Sequence, residues 1–259
     1  MRMRPAGKPS REVIEYVERC EKLLRTRAVA DIRSWLLERG LDDEVLTANR
    51  VGADPGRRFL PRPTGLPSGW PAAVYPALDP SGNVTYFQAR FLHPGDAGQK
   101  YDNPARLLAT NPSLAWTQPA GPKSSNGLLI VTEGIPDALI AAQAGMRSVG
   151  LLGSAAPSQH VADQLAKAVS RDDDHSPGVV VCFDADQSGR AGAARLAELL
   201  QERDIRTANV EPPEGVDITD WASVSTHWTD QLLGTAAAEI DTALTRSGHY
   251  YEMDVDFGP

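Results

Sequence analysis

The chain has 259 residues, 41% hydrophobic and 23% charged, enough apolar content to bury a core and too much for wholesale disorder. Its 26 Lys and Arg against 34 Asp and Glu leave a net charge of -8, which taken whole speaks against a simple basic nucleic-acid binder. No run approaches the ~18 apolar residues that a bilayer crossing needs, no apolar segment follows the basic start MRMRPAGKPS to make a secretory signal, and two cysteines, Cys20 and Cys182, exclude a disulfide framework or a four-cysteine zinc ribbon.

Residues 11–26 carry Val13, Ile14, Val17, Cys20, Leu23 and Leu24 at helical spacing between charges. A second helix runs through IRSWLLERG and stops at Gly40, and Asp42 is placed to cap a third over DDEVLTAN. Residues 52–84 are dense in Gly and Pro, yet include Phe59, Leu60, Trp70, Val74, Tyr75 and Leu78, which a flexible linker does not need. They read as loops and short strands. VTYFQARFL alternates as a strand after a turn at 80–83, and GPKSSNG (121–127) marks a domain boundary.

Beyond it the pattern changes to short apolar strands alternating with helices. Strands are expected at 128–134, 147–153, 177–186 and 205–212, with helices between them and a last helix over roughly 227–244, followed by a loose tail. That alternation predicts an α/β fold with a doubly wound parallel sheet, joined to a smaller mixed α+β N-terminal subdomain. The expected division is an N-terminal helix (1–30), a basic subdomain (31–123), the α/β domain (124–223) and a C-terminal helix with its tail (224–259). Charge follows this division. Residues 1–123 hold 18 basic and 13 acidic side chains, and residues 124–259 hold 8 and 21.

In such a sheet ligands gather at the carboxyl ends of the strands, and three acidic clusters fall there: Glu133, the pair Asp184 and Asp186, and the pair Asp217 and Asp220. Several carboxylates converging without a lysine call for a cation, and oxygen-only donors favour Mg²⁺ or Mn²⁺, one ion or two, over zinc. Each has a plainer reading. A lone D-x-D is common, and Glu133 can simply satisfy a helix dipole. The run Asp172–Asp174 reads as a solvated loop without a role.

The stretch VTEGIPDALIAAQAG, then VVVCFDADQSGRAGA, then GVDITDW resembles the TOPRIM domain of DnaG-type primases and topoisomerases, in its primase version. Glu133-Gly134, Asp184-x-Asp186 and Asp217, with Asp220 nearby, stand in the places of the acidic motifs. Asp137 stands where primases keep an Asp in the following helix. Upstream, ARFLHPGDAGQKYDNP resembles the primase stretch in which an arginine precedes Lys-Tyr-x-Asn, here Arg90, Lys100, Tyr101 and Asn103. The likeness spans roughly residues 30–222.

The resemblance implies a metal-dependent nucleotidyltransferase that makes short RNA primers on a single-stranded DNA template from nucleoside triphosphates. Glu133, Asp184 and Asp186 would be catalytic, with Asp217 and Asp220 completing the metal ligands. Arg90, Lys100, Tyr101, Asn103 and Asp137 would contact nucleotide or nucleic acid. Lys100 alone reads equally as a surface cation, and Asn103 as a turn residue. Cysteines for the family's zinc-binding domain and a helicase-binding domain are missing from the sequence. This points to a reduced, phage- or plasmid-like core in the cytoplasm, without zinc or membrane, that draws on a separate helicase or zinc-binding partner. The rival readings are a TOPRIM nuclease and a non-catalytic, replication-associated module that binds nucleic acid or a helicase. A topoisomerase needs a tyrosine domain and more chain.

Overall fold

The computed structural model describes residues 8–67, 69–93, 98–122, 127–152, 157–170 and 178–252, with side chains described as far as 240. The acidic run 172–174, most of the expected boundary at 121–127 and the end of the tail lie outside them. The chain divides into two compact units, Met1–Ser124 with Thr132–Ala155, and Ser125–Val131 with Ala156–Pro259.

The first unit opens on helix α1 (Arg11–Leu24), capped by the Ser10 hydroxyl, which accepts the Val13 amide. Val13, Tyr16, Val17, Cys20 and Leu24 line its buried face. Strand β1 (Gly52–Asp54) runs directly beneath it, and a Cβ at Gly52 would stand 2.6 Å from the Cys20 backbone, so only glycine lets helix and strand touch. A short 3-10 turn (Arg27–Val29) leads into α2 (Ala30–Glu38). In α3 (Asp43–Ala48) the Asp42 carboxylate accepts the Val45 amide at 2.8 Å, as its position predicts.

The sheet of this unit is built on β2 (Ala72–Leu78) and β3 (Val84–Phe91), antiparallel over their full length. β1 pairs with the start of β2, and β4 (Tyr101–Asp102) lies on the outer side of β3. β5 (Leu114–Trp116) meets β2 at Leu78 and pairs antiparallel with β7 (Arg147–Leu151). Helix α4 (Ile135–Gln143), with Pro136 in its first turn, buries seven of its nine residues.

In the second unit, β6 (Leu129–Thr132), β8 (Val179–Val181) and β9 (Thr207–Asn209) run parallel, Ile130 opposite Val180 and Val180 opposite Ala208. The valines and leucines of β6 and β8 are fully buried, as a parallel strand covered on both faces requires. Helices α5 (Gln159–Val169), α6 (Gln187–Gln201), α7 (Ile218–Val224) and α8 (Trp228–Glu252) complete it. The α/β class with a mixed N-terminal part is as expected. Two details differ: GVDITDW opens a helix, and α8 continues to Glu252. No helix among the described residues is long and apolar enough to cross a membrane.

Candidate active site

In the second unit the acidic residues sit on two loops laced together by backbone. The Ala185 amide donates to the Val216 carbonyl at 3.2 Å, and the Gly215 amide returns to the Ala185 carbonyl at 3.4 Å. Asp184 is half-buried at the end of the β8 run, and Asp186 is exposed. Asp186 caps α6, its Oδ1 accepting the Gly189 amide at 2.7 Å. Asp217 caps α7 in the same way, accepting the Asp220 amide at 2.7 Å. The sequence pattern predicts these carboxylates as metal ligands; that Asp186 and Asp217 also open helices appears only in the fold. Arg190, one turn into α6, donates to the Ala185 carbonyl at 3.2 Å and pairs with Glu211 at 2.9 Å. It therefore holds the peptide between the two aspartates, a role its neighbourhood to D-x-D could have suggested.

As donors these side chains suit a hard divalent cation: all offer carboxylate oxygen, and the nearby Cys182 is buried. Their arrangement is open. Among the described residues no three or more His, Cys, Asp or Glu side chains stand together closely enough to hold a metal ion. The helix caps use one oxygen each of Asp186 and Asp217, which leaves each carboxylate its other oxygen for a cation.

The remaining predicted residues lie in the first unit. Glu133 directly precedes α4 and is half-buried. Its loop is pinned by the Thr132 hydroxyl, which donates to the Gly134 carbonyl at 2.9 Å. The same loop packs on β7, where a Cβ at Gly150 would come within 2.6 Å of the Gly134 oxygen. Asp137 follows in the first turn of α4.

Arg90 stands at the centre of a stack. Its Cζ lies 5.5 Å from the Trp35 ring centroid and 5.5 Å from that of Tyr101. Arg39 takes the Trp35 ring at 5.1 Å. Arg90 and Tyr101 meet because β3 and β4 pair them directly. Beneath them Tyr75 is wholly buried, and its hydroxyl has no hydrogen-bond partner, nor has the buried Nε of Arg39. Burial pushes the Tyr75 and Tyr101 phenols up, while Arg90 pulls both the other way and Asp137 adds to the rise. Lys100 contributes a carbonyl that accepts the Phe91 amide at 3.0 Å, and its side chain is exposed. Asn103 is also exposed, its amide donating to Asp102. The structure thus joins Arg90, Tyr101 and Asp137 electrostatically and leaves Lys100 and Asn103 at the surface. Trp35, Arg39 and Tyr75 were missed. The first two stand four residues apart on one helix face, a visible signal, whereas Tyr75 lies in a wholly apolar strand and carries none.

Residues 130–222 match the Toprim-like family. The DNA primase of Enterococcus faecalis is 26% identical over 230 residues, covering 75% of this chain and 35% of that protein. The DNA primase of Pseudomonas putida is 33% identical over 151 residues, 56% of this chain and 21% of that protein. The chain thus spans about a third or less of the length of these relatives. Among solved structures, a DNA primase domain from Pseudomonas aeruginosa superposes with a TM-score of 0.66 at 21% identity, covering 86% of this chain and 77% of that one. A DnaG primase catalytic domain bound to ssDNA gives 0.65 at 18% identity, covering 91% and 84%.

The parallel unit and its D-x-D loop lie within the stretch, residues 130–222, that matches the Toprim-like family. The chain has the fold of DnaG primase catalytic cores. The family generally uses divalent metal ions.

Proposed function

We propose that this chain is a primer-synthesising nucleotidyltransferase core, joining nucleoside triphosphates into short RNA on single-stranded DNA. The observation that carries this is the pair of acidic loops that bear Asp184, Asp186, Asp217 and Asp220 and are laced together by backbone hydrogen bonds. In the first unit, the stack of Arg39, Trp35, Arg90 and Tyr101 offers cations beside rings, which supports the same reading.

The reaction is attack of a primer 3′-hydroxyl on the α-phosphorus of the incoming nucleotide, with loss of pyrophosphate. Asp184, Asp186, Asp217 and Asp220 are the carboxylates that would hold one or two Mg²⁺ or Mn²⁺ ions. A bound cation supplies charge neutralisation at the phosphates. Glu133 is, by the resemblance, a further candidate ligand or general base. Arg90 and Lys100 offset phosphate charge, Tyr101 and Asn103 contact the nucleotide, and Asp137 holds the cationic stack in place. A separate helicase or zinc-binding partner would complete the system in a cytoplasmic setting.

The test is ribonucleotide incorporation on single-stranded DNA with Mg²⁺ or Mn²⁺, comparing wild type with Asp184→Ala and Glu133→Ala. Oligonucleotide made by wild type and lost in both variants upholds the reading. Nicking without synthesis moves the chain to the nucleases. Nucleic-acid binding with neither activity, equal in all three proteins, makes it a binding module.

A further inference from the structure

The segment between Asp54 and Asp79 contains no acidic residue, yet holds Arg57, Arg58 and Arg62. Arg62 is withdrawn from solvent. It grips Asp54 with both terminal nitrogens, the second at 3.0 Å, and their side chains are 1% and 0% exposed. The Tyr16 hydroxyl donates to the same carboxylate at 2.5 Å, and Asp54 also accepts the Gly56 amide at 2.8 Å. A buried ion pair costs desolvation that apolar residues would avoid. Here it clamps both ends of one loop. Inside the clamp the Phe59 and Leu60 amides both bond the Gly56 carbonyl at 3.0 Å, and the Arg57 amide ties the loop to the Gly69 carbonyl at 3.3 Å.

What this clamped pair of loops displays is specific. Phe59 is 72% exposed and Trp70 58% exposed. Arg58 lies with its Cζ 5.8 Å from the Phe59 ring centroid. Arg57 and Arg58 are exposed, and no acid on the same loop neutralises them. The aliphatic neighbours Leu60 and Leu66 are turned inward, at 6% and 7%. The outward surface is therefore ring and guanidinium rather than a continuous apolar patch. Flat rings beside cations, on a proline-rich loop that loses little freedom on binding, match the stacking and charge of single-stranded nucleic acid.

We propose that Phe59 and Trp70, with Arg57 and Arg58, form a stacking platform for a single-stranded stretch of template, separate from the Arg90 stack. The proposal rests on the reading of this chain as a protein that works on single-stranded DNA.

The experiment measures anisotropy of a fluorescein-labelled oligothymidylate with the full chain, at several salt concentrations. Phe59→Ala and Trp70→Ala each weaken binding about tenfold, the effect of losing one base–ring stack. Trp70→Phe keeps most of the affinity. Replacing Arg57 and Arg58 together by Gln makes the plot of log affinity against log salt shallower by roughly 1.4. Val224→Ala, an exposed apolar side chain of the second unit, binds as wild type. Wild-type affinity in the Phe59→Ala/Trp70→Ala variant overturns the platform and leaves the patch to a protein partner, as does a wild type that binds no oligonucleotide. Binding that depends on both rings in a chain that makes no primers keeps the platform and overturns the catalytic reading. Primer synthesis by wild type, with ring-independent binding, does the reverse.

Discussion

The Arg90 guanidinium lies 5.5 Å from the centroid of the Trp35 ring, a ring that Arg39 occupies as well at 5.1 Å. Two like charges gathered by one indole repel each other, and Asp137 offsets part of that repulsion. The ring contacts hold both guanidinium groups in place.

Removing the indole should therefore weaken phosphate binding without removing a charge. Trp35→Ala is expected to cost about 1–2 kcal/mol in affinity for single-stranded DNA or nucleoside triphosphate, and Trp35→Phe well under half of that. The loss should vanish in a background already lacking Arg39 and Arg90. Binding titrations of the double-mutant cycle check it, with thermal melts confirming the fold.

Asp186 caps α6 and is proposed here as a metal ligand, and chemistry can separate the two roles. Asp186→Ala should lose primer synthesis and about 0.5–2 kcal/mol of stability, because the Gly189 amide loses its cap. Asp186→Asn should lose synthesis as well and keep nearly all the stability, since an amide oxygen still caps. Urea unfolding alongside incorporation assays distinguishes the two.

The buried Asp54–Arg62 pair gives a third expectation. Arg62→Ala leaves the Asp54 carboxylate, 0% exposed, without its countercharge, and should destabilise the chain by about 3–5 kcal/mol. Replacing both residues by apolar side chains of similar volume should cost much less. Tyr16→Phe removes two hydrogen bonds, one donated to Asp54 and one accepted from Arg62, and should cost roughly 1–3 kcal/mol. Denaturant midpoints measure all three.

Alkaline pH should unfold the protein through the same region. Burial raises the Cys20 thiol, with Asp54 adding to the rise, and burial raises the Tyr16 and Tyr75 phenols. The unfolded chain releases these protons near the usual values, about 8.5 for a thiol and 10 for a phenol, while the folded chain keeps them. Above those values the unfolded state binds fewer protons, so stability falls as pH rises. It should be level to about pH 8.5, then decline, steepening past pH 10 to about 1.4 kcal/mol per pH unit for each group ionised. Cys20→Ala should remove the first part of the decline, and Tyr75→Phe should soften the second. Urea midpoints from pH 7 to 11 test this.

Much of this molecule could be read beforehand where periodicity was long. The faces of α1 and α6, the cap at Asp42 and the valine run of β8 follow from spacing alone. Short pairings could not be read: β4 has two residues and β5 three, too few for any period. β2 was obscured by Pro76, which ordinarily keeps a strand at a sheet edge. Here β5 meets β2 only at Leu78, so the missing amide of Pro76 breaks no bond on that side. The acidic residues of the site were legible because charge at strand ends is conspicuous. Their service as helix caps was not, since α7 is a seven-residue helix whose pattern is too brief to announce it. The stack on Trp35 joins a helix to two strands far apart in the chain, and only folding brings them together.

The capping bonds of Asp186 and Asp217 also make two amide protons into spectators of the site. Those of Gly189 and Asp220 are each held by a carboxylate that is proposed here as a donor for a cation. An ion that draws on those oxygens alters how tightly the two protons are guarded. Deuterium uptake at these positions would then register occupancy in resting protein, before any substrate is added.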